Sequence, residues 1–128
     1  MTEEQALIRF ERYANIIIGT VQGEDHLDAN NADRFSEVLG TYIGDKPDVH
    51  LLLNLHHIQY LSSAILSALI EARGKLTKNG GGIRVCALNE EVRKVFEVTN
   101  LDTVFHAVPQ VQKAADEYVA YVQQELHS

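Results

Sequence analysis

A short, nearly continuous run of hydrophobic residues, Val49–Leu55, lies near the middle of the chain. Such a run is typical of a strand that is covered on both faces, so we predict that it forms the central strand of a sheet. After a short loop, residues 66–73 carry apolar side chains at helical spacing, Ile70 among them. The pattern therefore predicts a strand, a loop and a helix, and it puts Ser62 and Ser63 where the helix begins.

The hydrophobic positions elsewhere predict further strands and helices in alternation. Leu7–Arg12 and Asn15–Val21 are expected to form an opening hairpin, and Asp28 is expected to cap the first helix. The later predicted elements are a strand at Ile83–Leu88, a helix that Asn89 caps and Asn100 ends, a strand at Thr103–Val108 and a last helix from Pro109. The predicted fold class is α/β: one domain over residues 1–128, with a mixed sheet of four to five strands and four helices mainly on one face.

Three consecutive glycines, Gly80–Gly82, separate the helix that follows Ser63 from the next strand. Glycines can cradle a phosphate group, but neither GxxxxGK[ST] nor GxGxxG is present in this stretch. A helix stop followed by a turn is therefore the favoured interpretation.

The composition is that of a soluble globular protein, with 128 residues, 45% apolar residues and a net charge of −7. The acidic balance and the lack of a Lys/Arg cluster argue against nucleic-acid binding. The single cysteine, Cys86, excludes a disulfide framework. Because the start of the chain has no signal-peptide pattern and no apolar run approaches about 18 residues, we expect a cytoplasmic protein that does not bind membranes.

Side chains that could carry chemistry are present without a catalytic or metal-binding pattern. His56 and His57 are adjacent, but neighbouring side chains point apart on regular backbone and no HExxH or Cys/His motif supports a metal site. Ser62 and Ser63 lack the flanking glycines of a nucleophile elbow, and from the residues alone they are expected to cap a helix. We therefore expect no enzymatic activity, no catalytic residues, no metal and no cofactor.

Five short motifs occur along the chain. Leu51–Leu55 is an apolar strand ending in Asn-Leu, and Tyr60–Leu66 reads Tyr-Leu-Ser-Ser-Ala-Ile-Leu. Gly23–Asp28 holds Gly-Glu and then Leu-Asp, Gly80–Leu88 has glycines before an apolar strand, and Val92–Phe105 is an apolar segment with Leu-Asp ahead of a phenylalanine. Over nearly the whole chain these motifs resemble the STAS family, the anti-sigma factor antagonist domain.

The resemblance implies a function in partner switching. In that family the unphosphorylated domain captures an anti-sigma factor that is also a serine kinase, phosphorylation at the helix start breaks the complex, and a phosphatase resets it. Here Ser62 stands at the family's Asp position, Ala64 at its usual acceptor position and Ile65 at its glycine. The acceptor is therefore open between Ser63, Ser62 and none. Ser63 is preferred, because it matches a hydroxyl of the family signature and is expected to cap the helix.

The surface expected to contact the partner surrounds the predicted start of this helix. It comprises Asp25, Asp28, Asn54, Ser62, Ser63, Ala64 and Ser67. The partners that the resemblance implies are the anti-sigma factor/serine kinase and the phosphatase, and a weak homodimer is left open. Two alternative functions remain: a constitutive STAS scaffold in a transporter-associated or other regulatory complex, and a small-molecule or nucleotide sensor that uses the turn at Gly80–Gly82.

Overall fold

The computed structural model describes residues 6–126, and these residues form six strands and five helices. The strands are β1 (Ile8–Tyr13), β2 (Ile16–Val21), β3 (His26–Leu27), β4 (His50–Asn54), β5 (Tyr60–Leu61) and β6 (Gly82–Cys86). The helices are α1 (Ala32–Ile43), α2 (Ser63–Lys78), α3 (Glu90–Val98), α4 (Leu101–Val104) and α5 (Val111–Leu126). Among these residues, no helix has the length and apolar character needed to cross a membrane.

The main sheet has four strands in the order β1-β2-β4-β6. β1 and β2 form the predicted antiparallel hairpin, whereas β2, β4 and β6 run parallel to one another. β4 lies between two neighbours, and every residue from His50 to Asn54 is buried. The α/β class, the mixed four-stranded sheet and the central position of the predicted strand Val49–Leu55 are confirmed.

Helices cover both faces of this sheet, which explains the continuous apolar run in β4. Leu51 and Leu53 face the larger core, to which α1, α2 and α3 contribute. Leu52 faces a smaller core, to which α5 contributes. Because side chains alternate along a strand, a strand covered on both faces needs apolar residues at every position. Most of the helices thus lie on one face, as predicted, and α5 lies on the other.

The predicted strand Thr103–Val108 is wrong. Residues 101–104 form the short helix α4, in which Phe105 N–H donates to the carbonyl of Leu101 at 2.9 Å, and only Val108 makes an isolated parallel bridge, to Cys86. Thr103 and its β-branched neighbours favour a strand by propensity, but tertiary packing overrides that preference. The fully buried Phe105 ring meets Phe96 edge-on at 6.0 Å, so the segment is fixed by the core. The structure therefore has five helices where the pattern predicted four.

The helix after β3 begins later than predicted, because Asp28 does not cap it. The Asp28 carboxylate accepts a hydrogen bond from Asn30 N–H at 2.9 Å, and its own N–H donates to the side-chain oxygen of Asn31 at 2.9 Å. Such Asx-type bonds form a local turn, and this turn delays the helix to Ala32. By contrast, Asn89 caps α3 as predicted, since its side-chain oxygen accepts from Val92 N–H at 2.8 Å.

The glycines between α2 and β6 are required by close packing. A Cβ on Gly81 would collide with the backbone carbonyl oxygen of Val49, which precedes β4. Gly80 has a φ of +85°, a left-handed conformation that glycine adopts without steric cost. Both observations agree with the predicted turn, and neither indicates that these glycines hold a ligand.

Candidate functional site

The start of α2 is held in place by a small ladder that the sequence pattern did not predict. β3 and β5 pair in parallel, so that Leu27 lies opposite Leu61. Ser62 N–H donates to the carbonyl of Leu27 at 2.9 Å, and Gln59 N–H donates to the carbonyl of Asp25 at 2.7 Å. These bonds join the loop at residues 23–28 to the first turn of α2. The structure therefore places the backbone of the loop that carries Asp25 and Asp28 against the segment leading into α2, and the proximity of the Asp28 carboxylate to Ser62 and Ser63 stays a prediction.

The two serines occupy different positions at the helix start. Ser62, and not Ser63, is the N-cap residue, with an extended backbone at φ −86° and ψ 167°. Its hydroxyl makes no capping bond, and among residues 6–126 this shielded oxygen has no hydrogen-bond partner. The Ser62 carbonyl instead accepts from the N–H groups of Ile65 and Leu66, at 3.1 and 3.2 Å. Ser63 is the first helical residue, and it is exposed together with Ala64.

The charge distribution of α2 leaves its amino end electropositive. No acidic residue lies in its first turn, whereas α1 has Asp33 there and α3 has Glu90 and Glu91. The free N–H groups of a helix start and the helix dipole both favour an anion. The first turn of α2 therefore keeps its partial positive charge, because no acidic side chain of that turn neutralises it, and it would stabilise an added anion.

The neighbouring loop carries negative charge at Asp25. Its Oδ1 atom lies 2.8 Å from Nδ1 of His26, and this hydrogen bond lowers the pKa of the exposed Asp25 carboxyl. The carboxylate is therefore ionised at neutral pH. Asp28 is half-buried, and its carboxylate is held in the turn before α1. The loop thus presents the carboxylates of Glu24 and Asp25 to solvent and uses that of Asp28 to fix its own conformation.

Asn54 is the last residue of β4, at the carboxyl end of the strand, from which the chain continues towards α2. Its side chain is buried, and its oxygen accepts from the backbone N–H of His56 at 3.2 Å. Within the part of the chain that the structure describes, its hydrogen bonds hold the turn after β4 and do not reach Ser62 or Ser63. We therefore assign Asn54 to the support of the loop, and direct proximity to Ser63 stays a prediction.

Two exposed apolar side chains beside the serines were missed by sequence reasoning. Tyr60 is 50% exposed, just before the helix, and Ile70 is 50% exposed on α2, where the helical spacing predicts burial. Ser63, Ser67 and Ile70 are spaced to share one side of α2, and all three are exposed. The signal lay in the buried stripe of α2, which comprises Ile65, Leu66, Ala68, Leu69, Ala72 and Leu76. That stripe already fills the core-facing side, and Ile70 falls outside it.

The remaining candidate groups do not assemble into a chemical site. The rings of His56 and His57 lie 3.6 Å apart, and burial followed by the charge of His57 lowers the pKa of His56. In residues 6–126, no group of three or more His, Cys, Asp or Glu side chains could hold a metal ion. Burial raises the pKa of Cys86 to about 12, so this thiol is unreactive at neutral pH.

Comparison with known proteins places this geometry in a family. The family model described as the STAS domain matches residues 8–114. The chain is 25% identical over 108 residues to the putative anti-sigma factor antagonist BtrV of Bordetella bronchiseptica, a match that covers 84% of this chain and 90% of that protein. It is 23% identical over 94 residues to the anti-sigma F factor antagonist of Paenibacillus polymyxa, covering 73% and 79% respectively.

A solved structure shows the same fold. The anti-sigma-factor antagonist (STAS) domain protein from Planctomyces limnophilus superposes with a TM-score of 0.80 at 15% identity, covering 87% of this chain and 97% of that one. At that identity the likeness concerns the fold alone. The family model, however, spans most of the chain, from the first strand of the sheet into α5. The chain therefore belongs to the STAS domain family.

Proposed function

We propose that this protein is an anti-sigma factor antagonist that captures a serine kinase acting as an anti-sigma factor, and that phosphorylation of Ser63 releases the kinase. Membership of the STAS family and the two relatives named as antagonists support the antagonist role. In this proposal a phosphatase regenerates the capturing form, and the protein acts in the cytoplasm by binding, without catalysis of its own.

The contrast between the two serines carries this proposal. A kinase has to reach the hydroxyl that it modifies, and Ser63 is exposed on the first turn of α2. The Ser62 hydroxyl is shielded from solvent in the described structure. Ser63 is therefore the preferred acceptor, and Ser62 is the reserve acceptor.

Phosphate on Ser63 would act on the complex and leave the fold intact. A phosphoserine adds about −1.5 to −2 charges at neutral pH, and a helix start tolerates such a charge. The first turn of α2 holds no acidic residue that would repel it. Inside a close interface the same dianion brings steric conflict and desolvation. A loss of roughly 3 kcal/mol in this way would weaken binding about a hundredfold.

The proposed partner surface surrounds the start of α2 and includes the residues that support it. It comprises Asp25, Asp28, Asn54, Ser62, Ser63, Ala64 and Ser67, to which Tyr60 and Ile70 add exposed apolar area. Interfaces commonly combine aromatic and apolar contacts with a polar rim. Buried Asn54 contributes by holding the loop. The two exposed apolar side chains are therefore expected to supply the anchors and Asp25 the rim.

The decisive experiment tests the modification and the complex together. The kinase is recovered from native cells with the full-length chain as bait, purified, and incubated with the chain and ATP. Mass spectrometry is expected to find phosphate on Ser63. In binding measurements Ser63→Ala should retain the kinase in the presence of ATP, and Ser63→Asp should bind roughly a hundredfold more weakly.

Two control variants separate the acceptor from its surroundings. Ser62→Ala should still be phosphorylated and released, because its hydroxyl is not the acceptor. Ser36→Ala removes the exposed hydroxyl of a residue in α1 that is not part of the proposed surface, and this variant should behave as the unmodified chain. If mass spectrometry finds no phosphate on Ser62 and none on Ser63, the proposed switch is wrong.

A constitutive STAS scaffold is the second candidate, and one residue favours it. Ala64 has no hydroxyl at the position of the family's usual acceptor. A scaffold would bind its partner equally with and without ATP, and Ser63→Asp would leave the affinity unchanged. The same binding measurements therefore decide between the two candidates.

A further inference from the structure

A cleft of about 460 Å³ lies beside β6, at the edge of the main sheet. We call it the edge cleft. Its walls come from the second half of α2, the start of β6, the α4 segment and α5. It opens where β4 and β6 begin, whereas α2 starts at the far end of these strands. The edge cleft is thus separate from the proposed partner surface, and a ligand bound there would be independent of the proposed function.

The edge cleft concentrates positive charge on an acidic protein. Two arginines, Arg73 and Arg84, line it, with Glu125 as the carboxylate of the lining. The whole chain carries a net charge of −7, so this grouping runs against the general charge of the molecule. Within residues 6–126, neither guanidinium makes a salt bridge. Among the residues that the structure describes, two permanent cations therefore line one cleft without a salt bridge to a carboxylate.

Arg84 is fixed in position by aromatic rings. Its guanidinium carbon lies 4.4 Å from the ring centre of Tyr118 and 4.8 Å from that of Tyr121. Tyr118 is buried and is itself held by His50, which meets it edge-on at 5.9 Å. Cation–π contacts use the face of the guanidinium and leave the N–H groups in its plane available. A ligand would therefore meet an oriented donor and would not have to order it.

The backbone of β6 supplies a further donor at the same place. On the outer side of the strand, Val85 N–H donates to the carbonyl of Phe105 and Ala87 N–H to that of Val108, each at 3.0 Å. Bonding sides alternate along a strand, so Ile83 N–H points to the same outer side, where the 105–108 segment no longer covers the edge. Ile83 lines the edge cleft. Its N–H is thus placed to meet a ligand.

We propose that the edge cleft binds a small phosphate monoester with a compact aromatic or apolar body. The planar forks of two guanidinium groups match phosphate oxygens, and the hydroxyl of Thr77 on the cleft wall adds a neutral donor. Val104 and Tyr121 offer apolar surface for the organic part. The volume falls in the range of ligand pockets and exceeds what a single phosphate ion fills.

The test is a titration of the full-length, ¹⁵N-labelled protein with phenyl phosphate, monitored by NMR. Saturable shifts are expected at the amides of Ile83, Arg84 and Thr103, with a dissociation constant of roughly 1 mM or tighter. Inorganic phosphate should move the same amides at higher concentration, and benzyl alcohol should move none. Benzoate should bind more weakly than phenyl phosphate, because it offers one charge and fewer acceptor oxygens.

Variants of the two arginines make the result specific. Arg73→Gln and Arg84→Gln should each weaken phenyl phosphate binding at least about tenfold. Arg12→Gln, on the edge strand β1 at the opposite side of the sheet, is the matched control and should bind normally. Arg84→Gln could unfold the chain, because it removes the stacking of Arg84 on the two tyrosines. Arg73 is exposed, so Arg73→Gln is expected to fold and still tests the proposal. Non-saturating shifts, tighter binding of benzoate, or unchanged affinity in Arg73→Gln would overturn the proposal.

Discussion

Ser62 and Asn89 stand at the same position relative to their helices but contribute differently to stability. The Asn89 side chain accepts the Val92 N–H and so satisfies one of the free donors of α3. The Ser62 hydroxyl is shielded, caps nothing, and has no partner within residues 6–126. A shielded hydroxyl without a hydrogen bond is a cost to the folded state.

Alanine at each position should therefore have opposite effects on stability. Asn89→Ala is expected to lower the free energy of unfolding by about 1 kcal/mol, because the cap is lost. Ser62→Ala is expected to leave it unchanged or to raise it by up to about 1 kcal/mol. Urea unfolding monitored by circular dichroism measures both. A loss in Ser62→Ala as large as that in Asn89→Ala would show that the Ser62 hydroxyl makes a stabilising bond.

At the scale of elements, two glycines near the end of α2 have opposite effects on stability: one lies within the helix and the other follows it. Gly74 lies inside the helix on its exposed side, and a Cβ there would meet nothing within 4 Å. Gly81 lies just beyond the helix, where a Cβ would collide with the Val49 carbonyl. Gly74 therefore lowers the stability of the helix, because glycine has a poor helix propensity. Gly81 is required, because a side chain at that position would not fit.

The same substitution should thus stabilise one site and destabilise the other. Gly74→Ala is expected to raise the free energy of unfolding by about 0.5–1 kcal/mol. Gly81→Ala is expected to lower it by about 2–3 kcal/mol, because the backbone before β4 has to move. Each variant is the control of the other in chemical denaturation. Equal effects would contradict the assignment of Gly81 to close packing.

How well an element could be predicted depended on whether its own residues determine it. β4 and the helix α2 follow from local periodicity, and they were predicted, with Leu66 and Leu69 on the buried side of α2. The ladder of His26–Leu27 with Tyr60–Leu61 joins two-residue segments from distant parts of the chain, so no local pattern reports it. The segment at Thr103–Val108 shows the reverse, since its strand propensity was overridden by the burial of Phe105.

The candidate site was predicted through motifs, and its details depend on three-dimensional contacts. The motif around Ser62 and Ser63 placed the serines at a helix start. Which of them is shielded depends on how that turn packs, and the sequence carries no signal for it. Ile70 was assigned to the core, because residues 66–73 alone do not show that the buried side of α2 is already full.

At the scale of the whole molecule, the net charge is −7, and the acidic residues near the proposed surface should guide encounters with a basic partner more strongly than the acidic residues elsewhere. The double variant Asp25→Lys and Asp28→Lys is expected to slow capture of the kinase about tenfold at low salt, and the difference should shrink as salt rises. Stopped-flow association measures this. Asp45→Lys with Glu117→Lys makes the same change in net charge at exposed positions elsewhere. An equal slowing in both double variants would contradict a localised surface.

If the proposed function holds, the β3–β5 ladder should also affect how quickly partners are exchanged. Because the hydrogen bonds from Gln59 and Ser62 already hold the 23–28 loop in place, a partner that binds the proposed surface would meet an ordered loop and would not have to fold it. Rigid docking of this kind requires no slow isomerisation before or after contact. Under the proposed function the protein leaves one partner and joins another, and two paired strands of two residues each would speed that exchange by keeping the binding surface in one conformation.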